Sequence, residues 1–268
     1  STTGFSTIQA NLDALVENSG FEFELDGTIV AKENFTWSAS VNFSLPKNKL
    51  LAFPDLENST YANRFVIGQP LSVAKLYKLN GVNPETGIFE FEDFNGDGEL
   101  TSDDDRNYIA DLSPKFFGGL STSLRYKNWS ADILFQFVKK DGYNQFRYSE
   151  PPGVMVNQTT SVLDRWQNPG DQASMQKFTS GGDFEAYLAY YRFTQSSGVI
   201  SDASFIRLKS MEIGYDLPLR IPEDSALRIF LQGQNLLTFT SFEGGDPEQN
   251  IGYIPPLRRI VFGAKLDF

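Results

Sequence analysis

The sequence predicts an all-β fold: a partial, antiparallel transmembrane β-barrel to which this chain contributes about nine strands. Apolar and polar residues alternate with a period of two over segments of about ten residues. Short and long connections alternate between these segments. Aromatic residues make up 14% of the 268 residues, with 24 Phe and 11 Tyr. Membrane barrels have strands and connections of this kind, and they carry aromatic girdles at both membrane interfaces.

Two hairpins have the clearest alternation. In the first, strands over 21–29 and 37–45 are separated by a short turn near 32–35. In the second, strands over 118–126 and 129–137 are separated by Lys127 and Asn128. Apolar residues such as Trp37 and Phe43 alternate with serine and asparagine. We therefore expect one face of each hairpin to contact lipid and the other to face the lumen.

The remaining strands are less regular. Strands are predicted over 227–232 and 260–268, and shorter, weaker ones near 72–79 and 87–91. In the segment 205–215 the alternation shifts between Leu208 and Met211, which a β-bulge would explain.

The connections sort by length. Those near 32–35, 80–86, 127–129 and 216–225 are short, whereas those near 47–71, 92–116, 141–203 and 237–257 are long. Outer-membrane barrels have short turns on the periplasmic side and long loops outside. A soluble β-sandwich or jelly roll also has alternating strands and is the competing fold. The stretch from Lys140 to Ser204 counts against it, because compact soluble domains seldom contain connections of that length.

Composition excludes several functions. The net charge of -11, from 23 Lys+Arg and 34 Asp+Glu, argues against a nucleic-acid partner. The chain has no Cys and no His, which excludes disulfides, imidazole or thiolate metal sites, and Ser-His-Asp or Cys-His catalysis. We therefore expect no enzyme, although glycosidase chemistry with carboxylates alone stays open. No apolar run is long enough for a transmembrane helix, but this does not exclude a membrane protein, since barrel strands leave no such run.

One motif indicates a metal. The segment from Asp93 to Asp104 has the spacing of a calcium loop, with a glycine at the sixth position where the chain turns. Calcium takes six to eight oxygen ligands, which alternate residues of a tight loop can supply. The predicted ligands are Asp93, Asn95, Asp97, Glu99 through its backbone carbonyl, Thr101 and Asp104. The alternative is an acidic, solvated turn.

The affinity of this loop for calcium is expected to be modest and its role structural. Asp104 stands where a longer glutamate is usual, so it reaches the ion less easily as a bidentate ligand. Phe89 and Phe91 indicate a strand before the loop, which argues against a helix-loop-helix sensor.

A second candidate site is aromatic. Tyr187, Tyr190, Tyr191 and Phe193 could stack on sugars, form an interface belt or pack within a loop. The sequence leaves these alternatives open.

Seven blocks, taken in order, resemble the C-terminal third of SusC/RagA-type TonB-linked outer-membrane proteins. They are Asn18 to Leu25, Asp93 to Gly98, Ser113 to Gly118, Ser204 to Ser210, Gly233 to Leu237, Gly245 to Glu248, and Pro256 to Gly263. Each block alone is weak, but together they cover nearly the whole chain.

The resemblance implies a location and a function. Residues 1–268 would form the C-terminal portion of one 22-stranded barrel domain in the outer membrane of a Gram-negative bacterium. The barrel would import oligosaccharides or peptides with TonB inside and a SusD-like lipoprotein outside. The plug and TonB box would precede residue 1, so this chain alone is not expected to transport. The alternative function is that of a secreted, soluble β-domain that binds glycans and uses calcium structurally.

Overall fold

The main element of the fold is one antiparallel sheet. The computed structural model describes Gly4 and residues 12–218, 226–249 and 252–267. Seven strands form the sheet, and each is hydrogen-bonded to the next in chain order. These strands are β1 (Leu15–Lys32), β2 (Phe35–Ala52), β7 (Phe116–Tyr126), β8 (Trp129–Lys139), β11 (Phe205–Leu217), β12 (Ala226–Thr240) and β13 (Arg259–Asp267).

The other elements lie in the long connections between these strands. Three two-stranded sheets pair β3 with β6, β4 with β5, and β9 with β10. Their strands are β3 (Val73–Leu76), β4 (Leu79–Val82), β5 (Phe89–Phe91), β6 (Tyr108–Asp111), β9 (Asp141–Tyr143) and β10 (Ile200–Asp202). One α-helix, α1 (Phe184–Phe193), and 3₁₀ turns at Leu56–Asn58, Gln145–Tyr148, Thr160–Asp164 and Ser197–Val199 complete the described elements. No described helix is long and apolar enough to cross a bilayer.

Two details of the sequence prediction are wrong. The main sheet has seven described strands and not about nine, because the weak strands near 72–79 and 87–91 belong to the small sheets. The turn at 80–86 therefore lies within one long connection, 53–115, and does not join two strands of the main sheet. A closed barrel is also absent from the described part of the chain, whose sheet ends at β1 and β13.

With this correction, the long connections all leave the same end of the sheet. They are 53–115, 140–204 and 241–258. At the other end, β1 and β2 are joined by residues 33–34, and β7 and β8 by residues 127–128. Lys127 has a positive φ of 51°, which the tight second turn requires. The turn between β11 and β12 includes residues 219–225, and the last predicted strand ends at Phe268; both lie outside the described residues.

The predicted bulge in β11 is confirmed. On the side of β12, the register passes from Leu208 opposite Leu237 to Ser210 opposite Gln234. The register against β8 shifts at the same place. The bulge restores the alternation on both sides of it, so the inner and outer faces of β11 continue through the irregularity.

The sheet has one apolar and one polar face, because residues that pair across antiparallel strands project to the same side. One row across the sheet contains Trp37, Leu124, Ala131, Ile213, Leu231 and Phe262. A neighbouring row on the opposite face contains Thr28, Ser38, Ser123, Asp132, Glu212 and Gln232. On the apolar face, Phe262 is 73% exposed and Ile260 67% exposed.

A separate apolar core holds the long connections together. It contains Tyr77, Phe89, Phe91, Met175, Ala189, Tyr190, Phe193 and Val199. The rings of Phe89 and Phe193 stack at 4.2 Å, which joins β5 to α1. Asp183 caps the helix by accepting a hydrogen bond from the Ala186 backbone N–H at 3.0 Å. The long connections thus form a folded layer above the sheet.

Gly118 provides a test of packing on the apolar face. It lies in one row between Phe43 and Phe137, whose rings stack at 6.2 Å. A Cβ at this position would clash with the Asn42 carbonyl oxygen and the Phe137 ring. We expect Gly118→Ala to lower the free energy of unfolding in detergent by about 1–3 kcal/mol. Gly27→Ala is the matched control, since its Cβ would meet no atom within 4 Å. Equal effects of the two substitutions would contradict this packing.

Candidate functional site

The polar face of the sheet is an open trough lined by short side chains. Its floor carries serine hydroxyls at positions 38, 40, 121 and 123. Asp26, Asp132 and Glu212 add carboxylates to the same surface. These residues are on the face that the alternation assigned to the lumen, where short polar side chains leave space for water or another polar surface.

An arginine binds two acids on this face near the short turns. Arg228 donates to Glu212 Oε1 at 3.0 Å and to Ser130 Oγ at 2.8 Å, and it lies 3.5 Å from Asp216 Oδ1. It covers Gly214, where any side chain would collide with the guanidinium group. Arg228 therefore connects β8, β11 and β12 through their inner side chains.

A second, buried ion cluster lies near the other end of the sheet. Arg207 is 1% exposed and donates to Asp246 Oδ2 at 2.5 Å and Glu248 Oε2 at 2.7 Å. Its Nε donates to Thr238 Oγ1 at 3.1 Å. Lys209 lies 3.3 Å from Glu248 at the edge of the cluster. The cluster ties the last long connection, 241–258, to the inner face of β11 and β12.

Sequence reasoning did not identify this cluster, although its residues stand in two of the resembling blocks. Arg207 belongs to the block Ser204 to Ser210, and Asp246 and Glu248 belong to the block Gly245 to Glu248. An arginine inside a strand and two acids beside a proline were the available signals. Neither signal alone says which charges meet.

The acidic loop 93–104 is shaped by hydrogen bonds to its own backbone. Asp93 accepts from the N–H groups of Gly96 at 2.7 Å and Gly98 at 2.8 Å. Asp97 accepts from the Glu99 N–H at 2.7 Å and from Asn95 Nδ2 at 2.9 Å. Both hydrogen bonds lower the pKa of the Asp97 carboxyl, and the bond from the Glu99 N–H has the larger effect. Asp97 therefore stays charged well below neutral pH.

Asp105, which was not among the predicted ligands, anchors the loop. It is 2% exposed and accepts from the N–H groups of Phe94 at 2.8 Å and Thr101 at 2.7 Å. Asp104 instead accepts from the Thr101 hydroxyl at 3.0 Å near the surface.

The loop has the oxygen ligands that calcium prefers, but in this conformation they do not converge on one point. Among the described residues, no group of three or more acidic side chains is arranged to hold a metal ion. The six predicted ligands thus provide suitable oxygens without forming a cage around one point. The calcium site stays a prediction.

The aromatic candidates separate into two kinds. Tyr190 and Phe193 are buried in the core of the long connections, so their role there is packing. Burial raises the pKa of the Tyr190 hydroxyl, which also hydrogen-bonds Ser149 Oγ at 2.7 Å. Tyr187 and Tyr191 are exposed on the other side of the same helix. The four aromatic residues grouped by the sequence prediction therefore lie on two different faces of α1.

Comparisons with known proteins find similar outer-membrane receptors. No family model matches the chain. Over 92% of its length it is 29% identical to the TonB-dependent receptor P3 of Formosa agariphila, of which it covers 26%. Over 99% of its length it is 23% identical to the TonB-dependent receptor SusC of Bacteroides thetaiotaomicron, of which it covers 28%. The solved RagAB peptide importer in its closed-closed state matches with a TM-score of 0.79 and 24% identity, over 100% of this chain and 31% of that one.

The chain is similar over nearly its whole length to TonB-dependent receptors of the SusC/RagA type. The resemblance drawn from the seven sequence blocks is confirmed. These relatives are named TonB-dependent receptors, which agrees with the expected outer-membrane location. The chain spans about a quarter to a third of the length of the SusC/RagA relatives it matches.

The burial of Arg207 leads to a prediction about stability. Arg207→Met would leave Asp246, whose side chain is 11% exposed, without its buried partner. We expect a loss of about 3–5 kcal/mol in unfolding free energy, since breaking a buried pair leaves an uncompensated charge. Lys209→Met should cost at most about 1 kcal/mol, because that side chain is 37% exposed and its ion pair is long. Denaturant titration in detergent measures both. Similar losses for the two variants would contradict the burial argument.

Proposed function

We propose that this chain forms part of the transmembrane wall of a 22-stranded barrel that imports nutrients across the outer membrane. The observation that carries the proposal is the separation of the seven-stranded sheet into an apolar and a polar face. No element of the described chain covers the apolar face with a second sheet, as a β-sandwich requires. Lipid would cover that face in a barrel, and its polar face would line the lumen.

The aromatic residues of the apolar face support a membrane position. Near the short turns, Phe35, Tyr126, Trp129 and Tyr215 lie in one row. Near the long connections, another row contains Phe43, Phe137 and Phe239. Phe137 is eight positions after Trp129 on β8, which is ~27 Å along a strand. With a strand tilt of ~40°, the two rows lie ~20 Å apart across the bilayer, close to the apolar band of such barrels.

Charged side chains mark the outer limit of this band. Beyond Leu45, the outward positions of the first hairpin are Ser19 with Lys47 and Glu17 with Lys49. Lys139, at the corresponding end of β8, lies 2.7 Å from Asp202 of the loop layer. The pKa of Asp202 falls to about 2, first because of its hydrogen bond with Lys139. Charged pairs at this level suit the membrane–water interface and the loop side beyond it.

The solved neighbours support a proposal for the cargo and the partners. The solved neighbours are described as a peptide importer or transporter, RagAB. We propose that the complete receptor takes up oligosaccharides or peptides with energy coupled through TonB, and that a SusD-like lipoprotein covers its outer side. Residues 1–268 would be the C-terminal portion of the barrel domain, with its remaining strands and the plug contributed by the rest of a receptor.

Calcium is proposed as a structural ion of the loop 93–104. The observation that favours it is the spacing of oxygen-bearing residues in that loop. The ion would draw Asp97 and Asp104 toward Asp93 and neutralise part of their mutual repulsion. Because Leu100 of this loop packs against the core of the long connections, the expected result is a more stable outer layer.

Membrane insertion tests the first proposal. Ile133 pairs with Thr122 and Met211 on the apolar face near the middle of β8, and Ser123 lies on the polar face of the neighbouring strand. Ile133→Arg should lower the stability of the receptor folded in lipid vesicles by about 2–4 kcal/mol, since arginine would face hydrocarbon. Ser123→Arg should have a much smaller effect, because the lumen is polar. The reverse order would contradict this assignment of the two faces, because it would place Ser123 and not Ile133 in the apolar environment.

Calcium titration tests the second proposal. With the receptor in detergent, millimolar calcium should release or absorb heat on binding and raise the thermal midpoint of wild type. Asp97→Ala should abolish both effects while leaving the sheet intact by circular dichroism. Asp164→Ala, in another part of the long connections, is the control and should leave calcium binding unchanged. If wild type shows neither heat nor a thermal shift, the loop is an acidic turn without a metal.

A further inference from the structure

Helix α1 has apolar side chains on two opposite faces, and only one of them is buried. Ala186, Ala189, Tyr190 and Phe193 are the buried face. The second set comprises Phe184, Tyr187, Leu188 and Tyr191, with the same spacing of three, four and seven residues. We call this second set the α1 stripe. Phe184 is 73% exposed and Tyr191 61% exposed, with Tyr187 also open to solvent.

Packing among the described residues does not explain the α1 stripe, which they leave exposed. A helix that covers a core needs one apolar stripe, and the opposite face is ordinarily charged or polar. Here Asp183 caps the helix and Lys177 pairs with it at 2.9 Å, so the helix is fixed in place with the stripe outward. A contiguous exposed aromatic surface on an ordered helix indicates a ligand or partner.

The surroundings of the α1 stripe are acidic. Arg192 Nη2, next to Tyr191, donates to the Leu100 carbonyl oxygen at 3.2 Å and holds the loop 93–104 against the end of the helix. That loop exposes the carboxylates of Asp97, Glu99, Asp103 and Asp104. The helix also ends beside this loop, and its carboxyl end adds a partial negative charge. Calcium in the loop would reduce this charge without reversing it.

We propose that the α1 stripe and the acidic loop together form an outer capture surface for cationic peptides with aromatic or apolar side chains. Tyrosine faces accept lysine and arginine by cation–π contact and accept apolar side chains by stacking, while the carboxylates attract the positive charges. A neutral glycan could stack on the tyrosines but would gain nothing from the acidic loop. The inference rests on the proposed import function and narrows its cargo to the peptide class.

Binding of a defined probe tests the proposal. The receptor in detergent is titrated with a fluorescent heptapeptide of sequence Lys-Phe-Gly-Lys-Phe-Gly-Lys, and with its counterpart in which glutamate replaces each lysine. Wild type should bind the cationic peptide, and the acidic peptide should bind at least about tenfold more weakly. Raising the salt concentration should weaken the cationic complex, because the carboxylates are exposed.

Two variants locate the binding surface. Tyr187→Ser combined with Tyr191→Ser should raise the Kd by about tenfold or more. Tyr253→Ser removes a tyrosine that is also exposed but lies before β13, and it should change the Kd by less than about twofold. Asp103→Asn combined with Asp104→Asn should weaken binding and flatten the salt dependence. Circular dichroism and unchanged thermal midpoints show that the variants are folded.

Three results would overturn the inference. The first is equal binding of the cationic and acidic peptides. The second is that wild type binds neutral maltoheptaose and the double tyrosine variant does not. The third is that the double tyrosine variant loses a co-purified lipoprotein while its affinity for the peptide is unchanged. The last two would assign the stripe to a glycan or to a protein partner. Membrane insertion is measured separately through the Ile133 and Ser123 variants, so failure of peptide binding is distinguishable from failure of the transmembrane assignment.

Discussion

The structure depends on one constraint. All seven strands of the main sheet must turn their apolar side chains to one side and their polar side chains to the other. In hydrocarbon, a backbone N–H or C=O group cannot be satisfied by water, so each strand must bond laterally to its neighbours. Hydrogen bonds between neighbouring strands fix the register. The register aligns the strands so that apolar residues form rows on one face and polar residues form rows on the other. A shift of one residue anywhere would put carboxylates among the phenylalanines. The bulge in β11 is tolerated because the faces continue correctly on both sides of it.

The outer layer depends on the sheet through a few specific contacts. Arg207 projects from the wall into the acids of the last long connection, and Lys139 reaches Asp202 at the sheet end. The layer has its own aromatic core, so it is ordered by packing as well as by attachment. This arrangement suits a receptor that must present a shaped surface outside the membrane while its wall stays in register. The loop 93–104 lies within that layer and influences α1 through Leu100.

The sequence was informative where the physical signal is local. The hairpins at 33–34 and 127–128 followed from alternation and turn chemistry, and the bulge followed from a single shift in that alternation. The segments near 72–79 and 87–91 were assigned to the wall because short strands alternate in the same way in a loop as in a sheet. Helix α1 was missed, since its apolar residues on two faces disguise the helical period; the aspartate three residues before Ala186 was the usable signal. The pairing of Arg207 with Asp246 joins residues 39 apart, and no local pattern encodes such a contact.

In the proposed barrel, Trp37 and Trp129 face lipid. Trp166 lies in the outer layer, where its indole N–H donates to the Pro84 carbonyl oxygen. Receptor variants that keep one of these tryptophans and no other can be reconstituted into vesicles containing brominated phosphatidylcholine. Bromine on the acyl chains quenches tryptophan fluorescence only at short range. We expect strong quenching of Trp37 and Trp129 and little quenching of Trp166. Equal quenching of all three, or protection of Trp37 and Trp129, would contradict it.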